Sequence, residues 1–174
     1  SSNALLLNDI HSDDRSRFFA AWLLTLGGLL GLVMTADAFN LFVFFEISSL
    51  ASVTLVAMGS GRDKRALVAA FNYLIIGAIG ATFYVIGVGF CYAMTGTLNM
   101  VGIQEVITAP DADSSLADSA AMQVAFVFIC LGVLIKMAFF PFHAWLPNAY
   151  FHAPTATSSL LAPLVTKVMI YVMI

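Results

Sequence analysis

The chain has 174 residues, of which 61% are hydrophobic and 10% are charged, and its net charge is −3. Too few charges are present to cover the surface of a soluble domain of this size, so the composition predicts an integral membrane protein. The sequence has no basic patch, and we therefore expect no nucleic-acid partner.

The first two predicted helices share one long apolar stretch. A tail over 1–17, SSNALLLNDIHSDDRSR, lacks the order of charges and apolar residues of a signal peptide. The stretch 18–58 that follows would be about 60 Å long as one helix, twice the hydrocarbon thickness of a bilayer. Asp37 and Asn40 interrupt it, so we expect helices over 18–36 and 39–58 joined by a tight turn. Gly27 and Gly31 form a GxxxG pattern that favours close helix packing.

A short basic linker, GSGRDKR, leads to a third predicted helix over 66–94. This helix is long enough to tilt or to begin at the membrane interface. We expect its small residues to pack closely against a neighbouring helix; they are Gly77, Gly80, Ala81 and Gly87. Cys91 and Cys130 have no CxxC spacing and are expected to be buried as small hydrophobic residues.

The second half of the chain begins with a polar loop over 95–121. A fourth predicted helix starts near Met122 and reaches Phe140, and a Pro-rich, aromatic segment follows over 141–154. A fifth helix runs from Thr155 to the end. The sequence therefore predicts an all-α protein with five transmembrane helices.

The distribution of charges predicts the orientation of these helices. The tail and the linker are basic, whereas the 95–121 loop has acidic residues and no Lys or Arg. Because cytoplasmic segments carry the excess of Lys and Arg, we expect the tail and the linker in the cytoplasm and the acidic loop outside. The basic residues of the tail and the linker are Arg15, Arg17, Arg62, Lys64 and Arg65. The acidic residues of the loop are Glu105, Asp111, Asp113 and Asp118. This arrangement predicts a multi-pass protein of the cell (inner) membrane.

Three charged residues lie inside predicted helices. Lys136 is about 21 Å into the fourth helix and Lys167 about 18 Å into the fifth, while Glu46 is in the second. Each such charge costs at least roughly 2.5–3.5 kcal/mol at the bilayer centre, so these side chains usually face a partner or water. Alternatively, Lys136 extends its ammonium to the interface, or Glu46 serves only in a structural ion pair.

Two prolines lie close to these lysines. Pro141 and Pro163 each remove a backbone hydrogen bond and are predicted to break their helices, so that the fourth helix is discontinuous. Broken helices beside buried charges are typical of transporters. Hydroxyl groups nearby could carry water or bond to their own helix; they are Ser48, Ser49, Ser52, Ser158, Ser159 and Thr166.

Histidines follow the predicted break. Histidine side chains titrate near neutral pH, and His143 could pass protons between Lys136 and the cytoplasm; the alternative is an interfacial loop histidine. His152 is expected in a loop. The sequence has no metal-ligand spacing, no nucleophile with its base, no phosphate-binding loop and no haem motif. We expect no cofactor, no metal and no reaction on a substrate in this chain.

Three stretches resemble the antiporter-like membrane subunits shared by Mrp-type cation/proton antiporters and respiratory complex I. DAFNLFVFFEISSLASVTLVAMG resembles the family's glutamate helix, and GTLNM fits the group of Mrp D-type subunits. KMAFFPFHAWLPNAYFHAPTATSSLLAPLVTK resembles its broken lysine helix and next lysine helix. The resemblance covers roughly 20–174 and corresponds to one five-helix unit of the family's inverted repeat. It implies that Glu46 and Lys136 form the interacting pair and that Lys167 passes protons onward.

The resemblance leaves three functions open. The first is proton translocation, coupled to Na⁺, by a multi-subunit cation/proton antiporter. The second is a proton-pumping subunit of a redox complex, either an NADH–quinone oxidoreductase or a membrane hydrogenase, whose chemistry sits in partner subunits. The third is a structural or assembly subunit. In each case other membrane subunits and the lipid bilayer are the expected partners.

Overall fold

A computed structural model of the protein describes residues 14–61, 63–108, 116 and 118–173. In these residues the chain forms α-helices and short 3₁₀ turns, together with an isolated bridge between Asp37 and Asn99. The helices are α1 (Arg15–Met34), α2 (Ala38–Ala57), α3 (Arg65–Thr95), α4 (Met100–Thr108), α5 (Ala120–Lys136), α6 (Trp145–His152) and α7 (Thr155–Met173), with 3₁₀ turns at Met58–Gly61 and Phe142–Ala144. The predicted all-α class is confirmed.

Four segments are long and apolar enough to cross a membrane, and they contain α1, α2, α3 and α7. α3 has 31 residues and is about 46 Å long, as expected for a tilted or protruding span. α5 is apolar but has only 17 residues. The protein is therefore a multi-pass helical membrane protein, and the predicted number of five spans remains a prediction.

The polar loop predicted over 95–121 contains a helix, and this part of the prediction was wrong. α4 begins after Asn99, whose Oδ1 accepts hydrogen bonds from the backbone N–H groups of Val101 (2.9 Å) and Gly102 (3.2 Å). Asparagine is a favoured helix N-cap for this reason. At the N-terminus, α1 begins at Arg15 and not at residue 18. The predicted features that lie outside the described residues are most of the 1–17 tail, Arg62, Asp111 and Asp113.

Backbone hydrogen bonds join the two tight connections at one end of the bundle. The N–H of Ala38 donates to Leu98 O at 2.9 Å, and the N–H of Met100 donates to Ala36 O at 2.8 Å. The α1–α2 turn is thereby fixed against the start of α4. We call this end, residues 35–37 and 96–100, the loop end. The opposite end, residues 58–64 and 152–154, is the linker end.

Small residues allow close helix contacts, as predicted. A Cβ at Gly87 would lie 2.7 Å from Ala125 O, and one at Gly132 would lie 2.7 Å from Gly80 O. α3 and α5 therefore pack backbone to backbone. α1 packs on α2 through Gly28 and Gly31, whereas Gly27 has open space around it, so only one glycine of the predicted GxxxG contributes.

The core lies between the helices, and the outer surface is apolar. Phe45, Leu55, Val56 and Leu161 are at most 1% exposed. Large side chains such as Phe71 and Phe126 are more than half exposed on the outside of the bundle. Such a surface suits hydrocarbon, which agrees with the membrane prediction.

Candidate functional site

The helix that carries Lys136 ends at that residue. The N–H of Ala138 donates to Ile135 O at 3.2 Å and the N–H of Phe139 donates to Leu134 O at 3.0 Å. These two bonds form a Schellman motif, which satisfies carbonyls that the helix end leaves free. Ala138 occupies its left-handed position with φ 53°, which usually belongs to glycine. Lys136 is consequently in the last turn, where the helix dipole favours a cation.

The predicted interruption of the fourth helix is present, but it begins before the expected position. Residues 137–141 are non-helical and contain Pro141, and the 3₁₀ turn and α6 follow. Pro147 lies in the first turn of α6, where a proline is tolerated. The break predicted at Pro163 was wrong, because α7 continues through that residue. Pro163 removes a single backbone bond, and the rest of the helix compensates for it.

Lys136 lies in a buried pocket between α2, α3 and α5. Its side chain is 5% exposed. Its ammonium donates a hydrogen bond to Ser49 Oγ and lies 3.8 Å from Glu46 Oε1. It also lies 5.8 Å from the centre of the Phe45 ring, within the range of a cation–π contact. The lysine does not extend to the interface, so the alternative prediction of an interfacial ammonium was wrong.

The partners of Lys136 all come from α2. Ser49 is three residues after Glu46 and four after Phe45 on α2, so it is a neighbour of each of them on the helix surface. The Glu46 side chain is 32% exposed, although its Oε1 atom is buried and makes no hydrogen bond. One oxygen of the carboxylate therefore faces the lysine pocket, while the rest of the side chain is partly exposed on the outside of the bundle.

Gly77 of α3 makes room for the ammonium. A Cβ at this position would lie 3.6 Å from Lys136 Nζ and 3.5 Å from Ser49 Oγ. Both distances are ordinary van der Waals contacts, so alanine would fit here, and only a side chain longer than alanine would enter the space that the lysine uses. Sequence reasoning treated Gly77 as a packing residue and did not connect it with Lys136.

The other predicted site residues are not brought to this pocket. Lys167 is exposed on α7 and makes no hydrogen bond or ion pair among residues 14–61, 63–108 and 118–173. His143 is exposed, and its ring stacks on Phe140 at 5.8 Å. The proposed proton-passing roles of Lys167 and His143 remain predictions.

Contacts that sequence reasoning did not predict lie between the lysine pocket and the linker end, where His152, expected in a loop, is the last residue of α6. Ser52 and the Tyr73 hydroxyl interact on the linker side of Ser49. The Tyr73 ring stacks on Trp145 at 4.5 Å, and Trp145 Nε1 is buried without a hydrogen-bond partner. At the linker end, His152 Nε2 lies 3.8 Å from Asp63 Oδ2. These contacts join residues that are far apart in the chain, so no local sequence pattern predicts them.

The described part of the chain contains no group of three or more His, Cys, Asp or Glu residues arranged to hold a metal ion. The arrangement at Lys136 is instead that of an amine beside a carboxylate. An ammonium inside an apolar bundle, hydrogen-bonded to a hydroxyl, can hold or release a proton as its partner moves.

These features define a multi-pass helical membrane protein with a buried lysine, Lys136, 3.8 Å from the partly exposed Glu46. Residues 35–174 match the family described as NADH:quinone oxidoreductase/Mrp antiporter, TM. The chain belongs to this family, and the resemblance noted from the sequence is confirmed.

Curated relatives and a solved structure are similar along most of the chain. NADH-quinone oxidoreductase subunit N of Desulforudis audaxviator is 48% identical over 91% of this chain. The D-type subunit of the Na⁺/H⁺ antiporter of Bacillus subtilis is 35% identical over 91% of it. The membrane-bound sulfane sulfur reductase, an archaeal respiratory membrane complex, matches 88% of this chain and 30% of its own with a TM-score of 0.76 at 33% identity. The chain spans about 30% of the length of both curated relatives.

Proposed function

We propose that this chain carries part of a proton-translocation path in a membrane subunit of a multi-subunit complex. The observation that supports this most is the 5%-exposed Lys136 side chain, 3.8 Å from Glu46 at the end of an interrupted helix. Family membership supports the same function. In this proposal Lys136 holds the translocated proton, and Glu46 controls how strongly it is held.

Two kinds of complex are compatible with this function. The similarity to the D-type subunit of a Na⁺/H⁺ antiporter favours a cation/proton antiporter, in which Na⁺ is the second ion. The higher identity to NADH-quinone oxidoreductase subunit N favours a redox-driven pump. In the second case the redox chemistry lies in partner subunits, and this chain contributes proton transfer alone. Other membrane subunits are partners in both cases.

We further propose that α5, the break and α6 form one interrupted crossing. α5 starts on the same side as the loop end, because Met122 packs against Cys91 near the end of α3. α6 ends at the linker end, because His152 pairs with Asp63. The segment between these points passes the lysine pocket. With α1, α2, α3 and α7 this proposal has five crossings. The excess of Lys and Arg in the linker supports a cytoplasmic position for it.

Lys167 is proposed to pass the proton onward from Lys136. It is exposed on α7, so its counterpart would come from the remainder of the subunit or from a partner. His143 is proposed as a further proton carrier near the interface. Neither role involves a direct contact with Lys136 in this chain.

The decisive experiment replaces Lys136 with Arg in the full-length subunit within its complex. A guanidinium keeps the positive charge but does not release a proton in the physiological range. Proton transport into vesicles should be lost while the complex still assembles. Lys64→Arg, the same change on an exposed lysine of the linker, is the matched control and should transport normally. Normal transport by Lys136→Arg would make this lysine a fixed charge and refute the proposal.

A second measurement distinguishes the two complexes. Vesicles holding the wild-type complex should show proton movement on addition of Na⁺ if the complex is an antiporter. They should instead respond to NADH and a quinone if it is a redox-driven pump. The Lys136→Arg variant should abolish whichever response is present.

A further inference from the structure

Three buried serines of α2 differ in how their hydroxyl groups are used. Ser48 Oγ donates to Phe45 O at 3.1 Å, and Ser52 Oγ donates to Ser48 O at 2.7 Å. Both of these hydroxyl hydrogens are engaged by the backbone of their own helix. The Ser49 hydroxyl accepts from Lys136 Nζ, and in the part of the chain that the structure describes it donates to no acceptor. Its hydrogen is therefore available beside the lysine.

A serine hydroxyl can pair with a lysine side chain in both of its protonation states. A hydroxyl group has one donor hydrogen and two acceptor lone pairs, whereas an ammonium has donors only. The loaded lysine donates to Ser49 Oγ, which is the bond in the structure. Once the proton leaves, the neutral amine has a lone pair, and a rotation of the Ser49 O–H turns its hydrogen toward Nζ. The same two atoms then stay hydrogen-bonded with donor and acceptor exchanged.

The other partners of Lys136 interact with its charged state. Glu46 Oε1 lies 3.8 Å from Nζ, beyond hydrogen-bond distance, and a carboxylate has no donor for a neutral amine. The Phe45 ring, centred 5.8 Å from Nζ, attracts a cation. Both interactions lose their basis when the charge is gone. Glu46 is also the one charged group that the described residues place against the ammonium.

Gly77 bounds the pocket on the side of α3 and offers no alternative partner. A Cβ added there would lie 3.6 Å from Lys136 Nζ and 3.5 Å from Ser49 Oγ, so this residue faces both atoms. Glycine has no side-chain donor or acceptor, and the backbone groups in the interior of α3 are engaged in helix hydrogen bonds. Within the described residues, the Ser49 hydroxyl is consequently the polar group that remains for a neutral amine at this position.

We propose that Ser49 is a positioning residue that hydrogen-bonds Lys136 Nζ in both the loaded and the empty state, whereas Glu46 acts on the loaded state alone. The hydroxyl keeps Nζ at one point of the pocket throughout the cycle, so the next proton meets the amine in the same place. This inference rests on the proposed function of Lys136 and adds to it the group that holds the lysine after its proton has left.

The test measures proton transport by Ser49→Ala over a range of pH, in the full-length subunit within its complex, reconstituted in vesicles. The data give a maximal rate and the proton concentration at half-maximal rate. Removing the hydroxyl leaves a buried amine without a hydrogen bond in both states, so the maximal rate should fall about tenfold. The half-maximal proton concentration should change by less than about tenfold, because the bond is lost from both states. Glu46→Gln should change it by at least about thirtyfold, because the carboxylate acts on one state.

Two variants separate the hydrogen bond from packing. Ser48→Ala removes a hydroxyl that bonds to its own helix and should transport at the wild-type rate. Ser49→Cys keeps the volume of the side chain but has only a weak donor and acceptor, so it should be slow like Ser49→Ala. Assembly of each complex is checked by size-exclusion chromatography, and rates are compared at equal amounts of assembled complex.

Three results would overturn the inference. A wild-type rate in Ser49→Ala or in Ser49→Cys would show that the hydroxyl is not needed. Equal losses in Ser48→Ala and Ser49→Ala would make the effect one of packing. A change in the half-maximal proton concentration as large as that of Glu46→Gln would show that Ser49 acts on the loaded state alone. Each of these results leaves the role of Lys136 untouched, which Lys136→Arg tests separately.

Discussion

Replacing Glu46 with Gln should cripple proton transport, and the size of the effect follows from the geometry. Lys136 Nζ and Glu46 Oε1 are 3.8 Å apart. At an effective dielectric constant of about 20 this separation corresponds to an attraction of about 4 kcal/mol. The Glu46 side chain is 32% exposed, and solvent screening reduces the attraction to roughly 2–3 kcal/mol. Removing the charge should change the balance between loaded and empty lysine by roughly 30- to 150-fold.

Glu46→Asp provides a graded comparison. Aspartate keeps the charge and shortens the side chain by one methylene, which withdraws the carboxylate to about 5 Å. The same calculation, with the same screening, gives a loss of about 0.6 kcal/mol, or about threefold. The rank order of transport should therefore be wild type, Glu46→Asp and Glu46→Gln.

The assay is the initial rate of proton movement in vesicles that hold equal amounts of assembled complex. Assembly is checked by size-exclusion chromatography, so that a folding defect is not counted as a transport defect. Equal rates for Glu46→Gln and wild type would refute the electrostatic argument. Equal, strong losses in both variants would show that the position of the carboxylate matters as much as its charge, against the rank order expected here.

Three further predictions concern stability and orientation. Ala138→Gly should raise the free energy of unfolding by about 1 kcal/mol, because φ 53° favours glycine; thermal unfolding of the purified complex measures it. Gly132→Ala should destabilise the complex by about 1–3 kcal/mol in the same measurement, since its Cβ meets backbone atoms, whereas Gly27→Ala should be neutral. In a background without native cysteines, Lys64→Cys should react with an impermeant reagent only from the cytoplasm and Glu105→Cys only from outside; the opposite pattern would invert the topology.

The sequence was sufficient to predict the long helices and to single out Glu46 and Lys136 as unusual charges. Uninterrupted apolar residues define α1, α2, α3 and α7 within a few residues, and Asp37 correctly marks the turn between the first two. Lys136 and Glu46 stood out because charges are costly inside apolar helices. Asn99 followed by apolar residues at Ile103 and Ile107 is a helix signal that could have identified α4, but it was read as part of a polar loop.

Other features depended on tertiary structure. The break was expected at Pro141 from the missing backbone hydrogen bond, but Ala138 adopts a left-handed conformation and closes the helix one turn earlier. At Pro163 the same local rule failed, because a helix of 19 residues tolerates the loss of one hydrogen bond. Asp63 precedes α3 in the sequence and His152 follows α5, yet the two side chains pair in the fold. Periodicity and composition contain no information about such a contact.

The backbone hydrogen bonds between residues 36–38 and 98–100 hold the start of α2 in place, so that a rigid movement of α2 would be a rotation about Asp37. Glu46 is nine residues after Asp37 on α2, about 13 Å away along the helix axis. Doubling its separation from Lys136 by moving the whole helix would require a rotation of roughly 17°. α1 already packs so closely on α2 that a Cβ added at Gly28 would lie 2.9 Å from Ser48 Cβ. A rotation of the Glu46 side chain achieves the same displacement with the backbone at rest. If Glu46 controls the proton on Lys136, as we propose, torsions of this one side chain are sufficient for that control and α2 can remain in place.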